Sequence, residues 1–330
     1  MKLASYLRNT SQYGIVIFLI LLSIYFAYTT DGIFLSARNI ENVSRQIAIN
    51  TILAVGLTFV IISGGIDLSV GSVLALAGVI SMKVLCDGLV IGQSTVIHPL
   101  SAEYAIILSA VIALLAGAIA GAFNGLVITV FRVAPFVATL GMMTIARGLA
   151  YVYTDGRPVS PLPSAVREFG ASTIPHTGIP TLVFIALLVV ALGHIMLTRM
   201  KFGRHVYAIG GNEEAARLSG INIAQSKLKI YALCGMLAGL GGMLLATRLA
   251  SGDPKSGTMF ELNAIAAAVL GGTSLMGGRG TVLGTLIGAL VIGVLDNGLI
   301  LLGVSAFYQM VAKGFVILGA VILDQLTRRT

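Results

Sequence analysis

Charge is what this chain has least of. Only 10% of its 330 residues are Asp, Glu, Lys or Arg, against about a quarter in soluble globular proteins. That excludes a water-soluble domain, because there is too little polar surface to cover one. Tryptophan is absent, and cysteine occurs only at Cys86 and Cys234. Both lie in or beside apolar runs far apart in sequence, so they read as small buried side chains and not as a disulfide framework. The four histidines, His98, His176, His194 and His205, are scattered without metal-ligand spacing. Neither H-E-x-x-H nor G-x-S-x-G occurs, so no catalytic set survives inspection. A phosphate-binding loop is missing too. "GDPKSG" places Pro254 before Lys255 without the upstream glycine spacing, and "GGRGTVLG" misses G-x-G-x-x-G by one residue.

What is present is apolar. Hydrophobic residues make up 57% of the chain and its mean hydropathy is +0.97. Runs of about 20 apolar residues recur, the length that crosses a bilayer core. They predict about ten spans, near 13–30, 46–63, 71–86, 104–124, 134–153, 180–198, 227–247, 261–276, 281–297 and 299–323. All are expected to be helices, since lipid tolerates no unpaired backbone. The fold class is therefore an all-α integral membrane protein, with residues 1–330 as one transmembrane domain. The start, from Lys2 and Arg8 into "GIVIFLILLSIYFAYTT", resembles a signal peptide. No small-x-small cleavage site follows, so it reads as the first, uncleaved span.

The net charge of +8 does not point to nucleic acid, because the basic residues sit between apolar runs without interleaved aromatics. They orient the chain instead. Arg199, Lys201, Arg204, Arg217, Lys227 and Lys229 crowd the loop 199–229 against only Glu213 and Glu214, and Arg328 and Arg329 end the chain. An even number of spans puts this loop and both termini in the cytoplasm. Arg38, Arg45, Arg157 and Arg167 run against the rule on outer loops, partly balanced by Asp31, Glu41, Asp155 and Glu168. The outer loop 154–178 holds Pro158, Pro161, Pro163 and Pro175. It reads either as a stiff docking surface or as a plain connector.

Glycine is abundant, with 40 residues. Gly117, Gly121 and Gly125 recur every four residues, as do Gly235 and Gly239, and Gly284 and Gly288. Such spacing lines one helix face with small residues and lets backbones approach closely. It predicts a tightly packed bundle without establishing a dimer. Two stretches echo each other, "GGIDLSVGSVLALAG" at 64–78 and "GGTSLMGGRGTVLGTLIG" at 271–288, as expected of duplicated halves with interrupted helices or of glycine-rich text aligned by chance.

The most polar run is "GGNEEAARLSG", 210–220. Asn212 is a favoured N-cap, Glu213 and Glu214 suit a helix start, and Ala215 and Ala216 are strong helix formers. Glu213 and Arg217 form an i,i+4 pair, and Gly220 is placed to end the helix. The spacing predicts a helix of about seven residues, too short to span, entered through a flexible Gly210–Gly211 pair. It is either a surface turn or a grip on another protein.

Glu214-Ala215-Ala216-x-x-x-Gly220 resembles the E-A-A-x-x-x-G coupling motif of permease subunits of ATP-driven importers. The family's later I-x-L-P is incomplete, since Ile230 is followed by Ala232 and Leu233. "GGIDLSVGSVLALAG", "PFVATLGMMTIARGLAYVYTDGRPV", "FGRHVYAIGGNEEAARLSGIN" and "ELNAIAAAVLGGTSLMGGRGTVLGTLIGALVIGVLDNGL" closely resemble permease subunits of monosaccharide importers of the ribose type, in order over roughly residues 30–324. The resemblance implies a permease homodimer in the bacterial inner membrane, a periplasmic sugar-binding protein, and a cytoplasmic ATPase that binds ATP and Mg. It implies no cofactor in this chain and ribose as the leading cargo. Another cargo of the same superfamily, such as another sugar, a branched-chain amino acid or a nucleoside, stays open. An ion-coupled secondary transporter requires paired intramembrane carboxylates, whereas the acids here cluster near span ends.

Ionisable groups within spans are few: Asp67, Arg147, His194, Asp296 and Lys313. Each should face the bundle interior, an interface or a partner. Asp67 or Ser69 either caps the next helix or lines the route. Arg147 either snorkels or pairs, and Asp296 with Asn297 reads as a helix-end cap or a gate. A neutral sugar needs hydroxyls and amides that let go easily. Asn50, Thr51, Thr58, Thr139, Thr144 and Asn263 fit that role, and equally fit interhelical hydrogen bonds.

Overall fold

The computed structural model describes residues 2–87, 89–91, 94–97 and 102–329; His98 lies outside them. Among the described residues thirteen α-helices follow in chain order, with a 3-10 turn at Ile33–Leu35 between the first two. Helix α1 is Lys2–Thr29, α2 Ala37–Ile62, α3 Val70–Asp87, α4 Ala102–Val130, α5 Pro135–Thr154, α6 Ser164–Ala171 and α7 Thr181–Arg199. Then come α8 Lys201–Gly211, α9 Glu213–Leu218, α10 Ile223–Leu249, α11 Phe260–Leu270, α12 Val282–Leu301 and α13 Ala306–Arg329. One feature departs from the all-helical expectation: β1 Leu89–Ile91 and β2 Ser94–Ile97 pair as a short antiparallel hairpin after α3.

Six helices are long and apolar enough to cross a bilayer: α2, α4, α5, α7, α10 and α12. Gly14–Thr29, Val70–Cys86 and Phe260–Leu270 are shorter apolar helices. The expected span 261–276 stops at Leu270, because Gly271 and Gly272 turn the chain, Gly272 with φ +85°. Eleven residues reach about 16 Å, roughly half a bilayer core. The expected span 299–323 is likewise interrupted after Leu301 and resumes at Ala306. Among the described residues six long helices and three shorter apolar ones account for the apolar runs, so the expected count of about ten spans is met only in part.

Helices α2 and α10 form the centre. From Ile47 to Ile62 every residue of α2 is buried, and α10 buries Tyr231, Cys234, Ala238 and Met243 against it and against α3 and α4. The outer helices turn one bulky stripe outward. On α4 that stripe is Ile107, Val111, Leu115, Ile119 and Phe123, a helical period suited to lipid.

The glycine repeats do the close packing. A Cβ on Gly117 would lie 2.1 Å from the Gly235 carbonyl oxygen, and one on Gly121 would lie 2.1 Å from that of Tyr231. Gly239 meets Ala113, Gly284 meets Gly271 and Gly288 meets Ala267 at similar range. All of these contacts are within one chain, so the repeats serve the bundle, as the spacing predicts. The proline-rich stretch 154–178 is more ordered than expected of a connector. Its Ser164–Ala171 helix is seated on α10, with Val166 fully buried and Gly170 against the Thr247 carbonyl.

Candidate functional site

Helix α9 is built as its residues dictate. The Asn212 side chain accepts from the Ala215 N–H at 2.9 Å, which satisfies one of the free donors of the first turn. At the other end Gly220 adopts φ +84°, and the Ile221 N–H donates to the Ala216 carbonyl at 3.1 Å. That closes the helix with a left-handed residue, for which glycine has no side-chain penalty. The charge pairing differs from expectation. Arg217 pairs with Glu214, three residues back, while Glu213 reaches Lys227 on α10 at 2.7 Å. In so short a helix the neighbouring α10 offers Glu213 a cation, which leaves Arg217 to Glu214. The guanidinium holds the Glu214 carboxyl below its ordinary range, so it stays ionised at neutral pH.

Ala216 is the buried foot of α9. Everything else on it is exposed, including Leu218 at 80%. Leu218 stands exposed beside the Glu214–Arg217 pair, on a rod capped at both ends.

The rod is fixed to the core through α8. Gly210 and Gly211 do not form a flexible entry, because both are helical and Gly210 is clamped. A Cβ there would lie 1.7 Å from the Ile62 carbonyl oxygen and 2.7 Å from the Gly278 nitrogen. The Gly278 N–H donates to that same Ile62 carbonyl at 2.8 Å. Tyr207 donates to the Gly280 carbonyl at 2.7 Å, and burial pushes its hydroxyl pKa up, so it remains a donor. Gly277, with φ +86°, lies against Gly210 and Gly64. The two echoing stretches thus touch at one junction, where the end of α2, the turn 277–280 and the end of α8 converge. Each begins in irregular backbone and leads into a helix, α3 and α12.

The remaining candidates do not form one constellation. Asp67 accepts from the Ser69 N–H at 2.8 Å and hydroxyl at 2.6 Å, and Asn124 donates to that hydroxyl at 3.0 Å. This knot sits at the start of α3, and Thr139 on α5 reaches the neighbouring Ile66 carbonyl at 3.3 Å. Thr58 is sealed against Thr285 at 2.7 Å, between α2 and α12. Asn50 and Asn263 are buried, and the Asn50 carbonyl oxygen has no partner among the described residues. Thr51 is buried with its hydroxyl likewise unpartnered. Of the four candidate threonines Thr144 alone is exposed, its hydroxyl folded back to Leu140.

At the end of the bundle away from α9, Arg147 ties α5 to the loop before α11 by donating to the Pro254 and Ser256 carbonyls at 2.6 and 2.7 Å. Asp296 pairs with Lys313 at 3.0 Å, and Asn297 exchanges two hydrogen bonds with Asn39 at 2.9 and 3.0 Å. These groups fasten α12 to α13 and to α2.

The structure thus presents a short capped rod joined to a helix bundle by a glycine junction. A family model described as the branched-chain amino acid transport system permease component matches residues 39–321. The chain belongs to that family. It is 47% identical to the ribose import permease protein RbsC of Bacillus subtilis over 314 residues, 94% of this chain and 91% of that one. It is 44% identical to the protein of that name from Escherichia coli K12, over 95% and 93% of the two chains. The xylose transport system permease protein XylH of Escherichia coli K12 is 35% identical over 97% and 93%. No solved structure matches. The permease is thus a multi-pass membrane protein and a transport subunit, not an enzyme.

Sequence reasoning about the permease misread Gly210 as loose and missed Tyr207, Gly278 and the Ile62 carbonyl. Three of these act through backbone atoms, which no side-chain pattern announces. The available signal was the density of glycine at 210–211 and 277–280, which marks close backbone approach as well as looseness.

Proposed function

We propose that this chain is the membrane subunit of an ATP-driven ribose importer, working as a homodimer in the bacterial inner membrane with both termini and α9 in the cytoplasm. A periplasmic sugar-binding protein delivers the cargo. A separate ATPase subunit, carrying the ATP and Mg, docks on α9. The observation that carries the reading is the join between an exposed, doubly capped rod and the Ile62–Gly278 junction. An ATPase that closes around Leu218, Glu214 and Arg217 displaces α8, and α8 has no slack at Gly210. The push then reaches the end of α2 and the irregular segments leading into α3 and α12. The first of these segments carries Asp67 and Ser69, tied to Asn124 of α4 and beside Thr139 on α5.

The pathway follows the open face of α5, where Thr144 lies between Gly141 and Gly148. Neither glycine has an atom within 4 Å of a built Cβ, so a second copy can approach and enclose a passage of small groups that binds a sugar weakly and releases it. Arg147 and the Asp296–Asn297 pair hold the outer end. Ribose is favoured by the two relatives at 47% and 44% identity. A second cargo, xylose, has the 35% relative in its favour.

The test is reconstitution of the permease with candidate ATPase and sugar-binding subunits in vesicles. Uphill ribose uptake that needs all three, with ATPase capture lost on Glu214→Ala or Gly220→Val, is the expected result. Uphill uptake by the purified permease alone overturns it.

A further inference from the structure

Beside the rod, on the same end of the bundle, is a cleft of about 220 Å³ that the transport reading leaves unused. It lies between the first turns of α8 and α10, two helices that pack together. Lys201 and His205 line it from α8, and Gln225, Ser226 and Lys229 line it from α10. No carboxylate does. Among the described residues neither lysine has an acid within salt-bridge distance, whereas Lys227 next door is paired with Glu213. The cleft is therefore cationic and uncompensated.

Two further observations point to a ligand. Ser226 is 94% buried by its 6% relative exposure, yet it faces the cleft, and its hydroxyl makes no hydrogen bond to any described residue. The residue is held in the wall while its hydroxyl opens on the cleft, where it is free to donate to a bound group. The first turn of α8 has no side-chain cap, since Met200 precedes it in extended conformation. Its free N–H groups and dipole favour an anion at that end.

We propose that this cleft binds a phosphate group, held by Lys201 and Lys229 with Ser226 as hydroxyl donor. Phosphate fits better than a carboxylate because it offers three or more acceptor oxygens to donors converging from two helices. A phospholipid headgroup and free phosphate share this chemistry. The exposed Ile195 and Met200, leading down α7 to the cleft, give acyl chains an apolar approach. A phosphate seated there joins the helices on either side of α9 and stiffens the base from which the rod works.

The experiment uses the purified full-length permease. One arm titrates inorganic phosphate in detergent and reads thermal stability. The other compares nanodiscs of phosphatidylglycerol and phosphatidylcholine, with retained lipid read by native mass spectrometry. Both arms are repeated with the double variant Lys201→Gln/Lys229→Gln and with Arg199→Gln/Arg204→Gln, which removes the same charge outside the cleft. The expected result is at least tenfold weaker binding in the first double variant and less than twofold change in the second. Response to inorganic phosphate alone identifies a free anion, and response to phosphatidylglycerol alone identifies a headgroup; either supports the site. Equal loss in both double variants reveals only diffuse attraction to a basic surface and overturns it. So does absence of binding in both arms, or a Lys201 cross-link to an ATPase carboxylate without phosphate binding.

Discussion

Helices α4 and α5 both carry glycines at helical spacing, and the two sets do opposite things. On α4, Gly117, Gly121 and Gly125 are pressed against α10, each with backbone within 2.1–2.8 Å of where a Cβ would stand. The opposite face of α4 is a stripe of large apolar side chains. On α5, Gly141 and Gly148 point away from the bundle with nothing within 4 Å, and Thr144 lies between them. A helix that only meets lipid has no use for small residues on its outer face, as α4 demonstrates. Small-residue spacing therefore marks close approach without naming the partner, which is the bundle itself for α4 and, on our proposal, a second permease for α5.

The largest expected effect lies on the packed side. Gly117→Leu and Gly121→Leu must drive α4 off α10 along the most extensive helix contact in the molecule. Neither variant should accumulate as a monodisperse species on size-exclusion chromatography. Even alanine at these positions should cost about 1–3 kcal/mol, the usual range for overpacking. Gly148→Leu should leave the isolated chain folded. If the α4 and α5 variants behave alike, the distinction between the two faces is wrong.

Gly210→Ala comes next and tests the junction. The added methyl collides with the Ile62 carbonyl, so α8 must lift away from α2 or the turn at 277–280 must open. Because α9 and its caps are untouched, ATPase capture should persist while transport falls at least tenfold in reconstituted vesicles. Transport near the parent level would show that the push takes another route.

The fold was legible in the sequence wherever hydrophobicity and glycine period speak alone. The apolar spans, the close packing of their glycine faces and both caps of α9 follow from such patterns, whereas the pairing of α4 with α10 and the central place of α2 do not. The half-length α11 was missed because Gly271 and Gly272 follow an apolar run without a break in composition, and hydropathy averages across a turn. The Glu213–Arg217 pairing failed because Lys227, fourteen residues later, is a tertiary neighbour that local spacing cannot anticipate. The site was half visible. Asn212, Glu214 and Gly220 signal themselves by residue type, whereas the Ile62 carbonyl that anchors α8 has no signature of its own.

A smaller effect is expected of Asn212→Ala. It leaves the Ala215 N–H unsatisfied and typically costs about 1 kcal/mol of helix stability. Since α9 has six residues and little stability of its own, the loss falls on the ordered rod, not on the bundle. A change of about 1 kcal/mol corresponds to roughly a fivefold shift in a two-state population. ATPase affinity in a pull-down titration should fall by about that factor, and Asn212→Asp should restore most of it. An unchanged affinity with alanine would mean that the partner itself orders the rod.

The smallest energetic effect, and the sharpest discrimination, belongs to Gly148. Alanine there meets open space, so chain stability should change by less than about 0.5 kcal/mol, as for a surface site. Glycine to alanine in a helix even improves local propensity. Cysteine at the same position then reports what occupies that space. Gly148→Cys, in a background where Cys86 and Cys234 are replaced by serine and alanine, should form an oxidant-dependent covalent dimer in membranes if a second copy lies against α5. The Leu115→Cys variant, on the lipid face of α4, should not. Two residues equally bare in the single chain would then differ in the assembled one, because a disulfide requires the two Cα atoms to come within about 7 Å. Lipid cannot supply the second thiol, so cross-linking only at position 148 assigns that face to another permease.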